Sequence, residues 1–136
     1  MLLKQEESFD FEFLLFGIVC HEGIHRLCWF LNRHLNLDIA YHGGLEIKQK
    51  KSTRTHDLFR FQDEEMNVCY TLIDNRTEGG VLLPEHKQVD FFLKVEDDNM
   101  LDPEELRKKI VEIPSVLACF RTEVMELKHK ENLLFD

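Results

Sequence analysis

The stretch Val89-Asp90-Phe91-Phe92-Leu93-Lys94-Val95-Glu96, then Leu101-Asp102-Pro103-Glu104-Glu105-Leu106, then Ile113-Pro114-Ser115-Val116, decides the fold class. Val89, Phe91, Leu93 and Val95 alternate with Asp90, Phe92, Lys94 and Glu96, which is the period of a strand. Phe92 is the one apolar member of the second set, so that face is expected to be half covered. A helix follows. Asp102 stands at its N-cap, Pro103 at its first position and Glu105 three residues on, with Leu101 and Leu106 placed as a hydrophobic staple. Leu106, Ile110 and Ile113 form its apolar stripe, and Lys108 and Lys109 suit its C-terminal half. Pro114 stops the helix, and Val116 to Arg121 reads as a strand.

The same strand-helix-strand layout opens the chain. Phe9 to Cys20 alternates first and then becomes wholly apolar, as a central strand does. Ile24, Leu27, Cys28, Leu31 and Leu35 recur at helical spacing. The opposite stripe holds Trp29 among Glu22, Arg26, Arg33 and Asn36; a ring lying flat over the edge of the core is the favoured reading, and an interface anchor the alternative. Leu37 to Tyr41 reads as a strand broken by Gly43-Gly44, and Leu45 to Lys48 as a continuation or separate edge. Gln49 to His56 has no apolar residue and is expected to be an exposed loop. Leu58 to Phe61, Asn67 to Ile73 and Val81 to Leu83 read as strands joined by turns, the last ended by Pro84. Thr122 to Lys128 reads as a short helix with Val124 and Leu127 inward. Leu133-Leu134-Phe135 is expected to dock on this domain or on a partner. The fold class expected is α+β: an antiparallel sheet with two main helices on one face, plus extra hairpins, in a single domain over residues 1–136.

The 136 residues are enough for a real core. A formal charge of -9 argues against nucleic-acid phosphates and against an anionic membrane surface. The acidic start, Met1 to Glu7, lacks a signal-peptide layout, and the longest apolar run, Phe13 to Cys20, is far short of the ~20 residues of a membrane span. A cytoplasmic location is expected. Cysteines 20, 28, 69 and 119 form no CxxC pair and read as reduced, mostly buried thiols.

Three patterns bear on chemistry. His21-Glu22-Gly23-Ile24-His25 matches the H-E-x-x-H zinc-protease pattern, which needs a helix already formed at His21 and a third ligand. Gly23 and the preceding strand weigh against that context, so a metal-dependent hydrolase is the alternative reading only. Cys20-His21-Glu22-Gly23 is otherwise a strand-to-helix turn able to contact a ligand. Glu85 and Asp90 are a carboxylate pair across a turn, read as backbone acceptors rather than an acid–base pair. Asp97, Asp98 and Asn99 lack calcium-loop spacing and read as a solvated loop.

Leu83-Pro84-Glu85 followed by Val89-Asp90-Phe91 resembles the signature of the IPExxxVDY family, small proteins of Bacteroidetes named for that motif. Leu83 stands for the family's Ile and Phe91 for its Tyr, which removes a hydroxyl. The likeness extends through Arg26 to Asn32 and the tail Lys130 to Phe135, and implies one domain over the whole chain. The two strand-helix-strand units, with the Ile113-Pro114 step, resemble ferredoxin-like ACT domains. That resemblance implies a small-molecule ligand near the loop after the first strand; the absence of a catalytic constellation, with Trp29 and the apolar tail, leads to the expectation of a non-catalytic binding or regulatory domain acting as a homodimer. No cofactor is expected.

Overall fold

The computed structural model describes residues 10–48, 50–97 and 101–135. The chain runs β1 (Leu14–Cys20), α1 (Ile24–Leu35), β2 (Ala40–Lys48), β3 (Thr53–Asp63), β4 (Val68–Asp74), β5 (Arg76–Thr77), β6 (Gly80–Val81), β7 (Phe91–Glu96), α2 (Pro103–Val111) and β8 (Val116–Arg121). Six strands form one sheet in the order β2-β3-β4-β7-β1-β8, antiparallel at every step, and β5-β6 is a small separate hairpin. The fold is α+β, as the patterning predicts. The β7-α2-β8 crossover leaves β1 between its two strands, whereas the β1-α1-β2 crossover passes over three strands. No described helix is long and apolar enough to cross a membrane.

Local signals act as read. The Asp102 side chain accepts from the backbone N–H of Glu104 and Glu105, at 3.0 and 3.4 Å. Ile24, Leu27, Cys28 and Leu31 of α1 are buried, with Leu106, Ile110 and Ile113 of the second unit. They pack on Phe16, Ile18, Phe59, Leu72, Phe91 and Leu93, so both helices cover one face. Helix α1 ends at Asn36, in the left-handed conformation at φ 55°. The Asn32 carboxamide then grips both backbone groups of Ile39, accepting its N–H at 2.8 Å and donating to its C=O at 2.9 Å. That grip keeps Ile39 out of the ladder, and β2 starts at Ala40 rather than Leu37.

Several expectations are corrected. Gly43-Gly44 does not break the strand: β2 is continuous, with a bulge between Tyr41 and Gly43. Gly43 has φ +104°, and a Cβ on Gly44 would lie 2.3 Å from Thr55 Cγ2. Gln49 lies outside the described residues, and Thr53 to His56 is strand, not loop. Arg54 and His56 are buried in it. Described β1 begins at Leu14; Phe9 lies outside the described residues, as do Asp98 and Asn99. Leu82 and Leu83 leave the β5-β6 hairpin, and Pro84–His86 is a 3-10 turn. Val124–Glu126 is a 3-10 turn too, where a short helix was expected.

The largest correction concerns the second face of the sheet. Phe92 does not stand over a half-covered face: it and Lys94 are both buried. A second core assembles there from Leu15, Ile73, Leu82, Leu83, Val89, Phe92, Val124, Leu127 and Leu133. Val89 precedes the strand and joins this layer instead of the helix face. Gly17 of β1 is required by it, because a Cβ there would lie 2.6 Å from the Phe120 ring. The helices thus cover one face, and irregular chain covers the other. Leu133 is fully enclosed in that layer. Leu133→Ala is expected to cost about 2–4 kcal/mol in urea unfolding, as a core truncation does; a loss below about 0.5 kcal/mol would mean the segment is not docked.

Candidate functional site

Irregular chain over a sheet has a backbone problem. Its N–H and C=O groups lose water without gaining a ladder. Asn75, directly after β4 and fully buried, solves it for the motif segment. Its Nδ2 donates to the carbonyls of His86 at 3.0 Å and Val89 at 2.8 Å. Its Oδ1 accepts from the Leu83 N–H at 3.0 Å. Its backbone N–H donates to Asp90 O, and its C=O accepts from Leu82 N–H. One residue therefore sets the path from Leu82 to Asp90.

The motif residues take structural roles. Leu83 and Val89 enter the second core, and Phe91 faces the helices. Pro84 starts the 3-10 turn. Asp90 Oδ2 accepts the Cys20 N–H at 3.0 Å, Oδ1 takes the Arg76 guanidinium, and the side chain is only 17% exposed. Glu85 binds the tail: Oε2 accepts the His129 N–H at 2.9 Å, and Oε1 lies 3.0 Å from His129 Nδ1. Burial alone would raise the Glu85 pKa; hydrogen bonds from its own and the His129 backbone N–H, and from the His129 ring, outweigh it and hold it below the usual range. Asn132 Nδ2 adds a bond to Leu82 O at 2.9 Å, and Lys94 Nζ donates to Leu133 O at 2.8 Å between the rings of Phe13 and Phe135.

Beside this strap lies a group that the sequence reading assigned to a loop. Arg54 Nε donates to His56 Nε2 at 3.1 Å, and Arg54 Nη2 to Val81 O at 2.9 Å. His56 Nδ1 lies 2.8 Å from Asp74 O. A carbonyl only accepts, so Nδ1 carries the proton and His56 is neutral with both nitrogens engaged. Burial lowers its pKa; the Asp74 carbonyl opposes this, and the Arg54 charge adds to it. The β5-β6 hairpin roofs the arginine: a Cβ on Gly79 would lie 2.7 Å from Arg54 Cβ, and Gly80 has φ +143°. A cavity of about 410 Å³ opens here, lined by Ile47, Arg54, Gly79, Gly80, Val81, Pro84, His129 and Asn132. The missed signal is the alternation Arg54, His56, Leu58 against Thr53, Thr55, Asp57, a strand period written in polar letters.

The other candidates stand apart. Helix α1 begins at Ile24 with Gly23 as N-cap, so His21 lies outside it and the H-E-x-x-H geometry does not form. His21 and Gly23 are exposed, Glu22 pairs with Arg26, and His25 packs edge-on to Phe59 at 5.1 Å. Among the described residues no three His, Cys, Asp or Glu side chains converge on a metal position. Cys20 Sγ donates to Ser115 Oγ and accepts the Glu22 N–H, which closes the turn against the start of β8. All four thiols are buried and free; burial pushes Cys119 up to about 12 and raises Cys28. Trp29 is half exposed, with Arg33 over its ring at 4.7 Å. Leu133 and Phe135 pack within this domain, while Leu134 is largely exposed.

Comparisons with protein-family models, curated proteins and solved structures find no match for this chain.

Two substitutions check this geometry. Asn75→Ala strands one donor and two acceptors in the core and is expected to cost about 3 kcal/mol or more in chemical denaturation; a loss under 1 kcal/mol would contradict the hub. Burial, reinforced by Asp57 and Asp90 and opposed by the Arg76 backbone bond and charge, raises the Asp74 carboxyl from 3.8 to about 6. The folded state then binds more protons than the unfolded one between those values, and stability falls as pH rises through the window. Asp74→Asn is expected to flatten that fall, gaining on the order of 1–2 kcal/mol above pH 7 relative to its effect at pH 4. Parallel pH-stability curves for the two proteins would refute the assignment.

Proposed function

We propose that this protein is a cytoplasmic, non-catalytic domain that binds a small molecule in the cavity between the β5-β6 hairpin, the Pro84 turn and the tail. The single observation that carries the reading is the cavity itself. Three stretches distant in sequence, Ile47 to Arg54, Gly79 to Pro84 and His129 to Asn132, converge to line about 410 Å³ of open space, with a buried arginine among the walls. Ligand sites have this form: mostly apolar walls with a few placed polar groups. The titratable groups nearby have structural employment. His56 has no free nitrogen for base work, Glu85 holds the tail, and Asp90 holds Cys20 and Arg76. That pattern favours binding over turnover.

The turn Cys20 to Gly23 has less to recommend it as the ligand site. Its backbone is closed by Ser115 and Asp90, and its exposed side chains have no enclosing walls. A thermal-shift screen of amino acids, organic acids and nucleotides, followed by amide chemical-shift mapping, tests the reading. Hits are expected to perturb Gly79, Gly80, Val81 and Asn132. Hits that map to the Cys20–Gly23 turn, or a screen with no hit at millimolar ligand, would overturn it.

A further inference from the structure

Among the described residues Arg54 is the one buried arginine, and its charge has no counter-ion among them. It is 8% exposed, yet among the described residues no carboxylate lies within ion-pair distance of it. A guanidinium carries five N–H donors. Nε uses one on His56 and Nη2 uses one on Val81 O. The other three, two on Nη1 and one on Nη2, have no partner among the described residues. Among the described residues, the only side-chain polar atoms both enclosed and unpartnered are the hydroxyls of Thr71 and Thr122. Nη1 therefore reaches accessible space, and Arg54 lines the cavity.

Holding a cation largely out of water without a counter-charge is costly, and two neutral acceptors offset only part of that cost. His56 is neutral and accepts from Nε; Val81 contributes only a carbonyl. The chain as a whole carries a formal charge of -9, with 26 acidic residues, so a carboxylate partner was abundantly at hand. Yet Arg54, pinned through Nε and Nη2, faces a cavity rather than an acid. The pinned side of the fork leaves the Nη1–Nη2 end open, which is the end that takes a carboxylate through two parallel bonds.

We propose that the cavity binds a small organic monocarboxylate with an apolar body, its carboxylate on the Nη1–Nη2 end of Arg54 and its body against Ile47, Val81 and Pro84. This rests on the binding reading above and names the ligand class for that site. The apolar walls select against a bare inorganic anion. The roof at Gly79 and Gly80 packs directly on the Arg54 side chain, where a Cβ on Gly79 would lie 2.7 Å from Arg54 Cβ, and so holds the guanidinium in place. Asn132 keeps one amide N–H and its carbonyl oxygen for a second polar group on the ligand.

Titration of isotope-labelled protein with hexanoate, hexanamide and inorganic phosphate, following the Arg54 Nε–H and Gly80 amide signals, tests the inference. Hexanoate is expected to shift both signals saturably and to bind at least ~10-fold more tightly than hexanamide, the loss expected when a charge-assisted pair becomes a neutral one. Arg54→Gln is expected to bring hexanoate down to the hexanamide level. Ile47→Trp fills the apolar wall without touching the guanidinium and is expected to abolish both, so a poorly folding Arg54→Gln leaves the inference testable. Equal binding of hexanoate and hexanamide would overturn the carboxylate assignment while leaving a ligand cavity in place. Phosphate as tight as hexanoate would overturn the apolar-acid class. Shifts that survive Ile47→Trp, or none with any ligand in the screen, would overturn the site itself and the reading beneath it.

Discussion

The Asn75 carboxamide is where the architecture is most constrained. Strands β7 and β1 lie inside the sheet, and both of their faces must leave water. Helices α1 and α2 cover one face and satisfy their own backbones. The other face is covered by short 3-10 turns and irregular chain, and the peptide groups that those turns do not pair need partners from elsewhere. Asn75 gives partners to Leu82, Leu83, His86, Val89 and Asp90 at once. Its own burial is tolerable for the same reason, since every polar atom of its side chain is engaged. Remove it and the layer loses several bonds together, because the segment has no alternative ladder.

The rest of the second layer depends on the path Asn75 sets. Once Pro84–His86 is held over the sheet, Glu85 is presented to His129, and the tail is clamped at His129 and Asn132. Leu133 then reaches the core and offers its carbonyl to Lys94. Lys94 is buried on an inner strand, flanked by Phe13 and Phe135. A lysine there needs oxygen and aromatic faces around it, and the docked tail supplies both. The cavity beside Arg54 is bounded by these same pieces, so its shape is a by-product of how the irregular layer is tied down.

Legibility differed sharply between the two faces. The helix face was written locally: Asp102 and Pro103 mark a helix start, Pro114 its end, and Ile24, Leu27, Cys28 and Leu31 a stripe that needs only neighbours in the same helix to be recognised. The second face was not. Thr53 to His56 carries no apolar letter, yet Arg54 is covered by Gly79-Gly80-Val81, and His56 is held between Arg54 and the Asp74 carbonyl. Lys94 looked like a solvent-facing residue because nothing near it in sequence announces Leu133. The Glu85–Asp90 pair was correctly read as backbone acceptors, yet the donors, His129 and Cys20, lie far away in the chain.

By itself, then, the sequence determined the α+β class, both helices and the start of the second, most strands, and the absence of helical geometry at His21. These follow from interactions within a few residues: caps, periodicity, proline stops and glycine freedom. Only the tertiary structure decided what covers the second face, that the tail closes onto the motif, and that Arg54 sits enclosed beside a cavity, with no carboxylate among the described residues paired to it. Those outcomes depend on pairings across tens of residues. Whether a polar side chain is buried is set by what lands on it, and that partner is chosen by the fold as a whole.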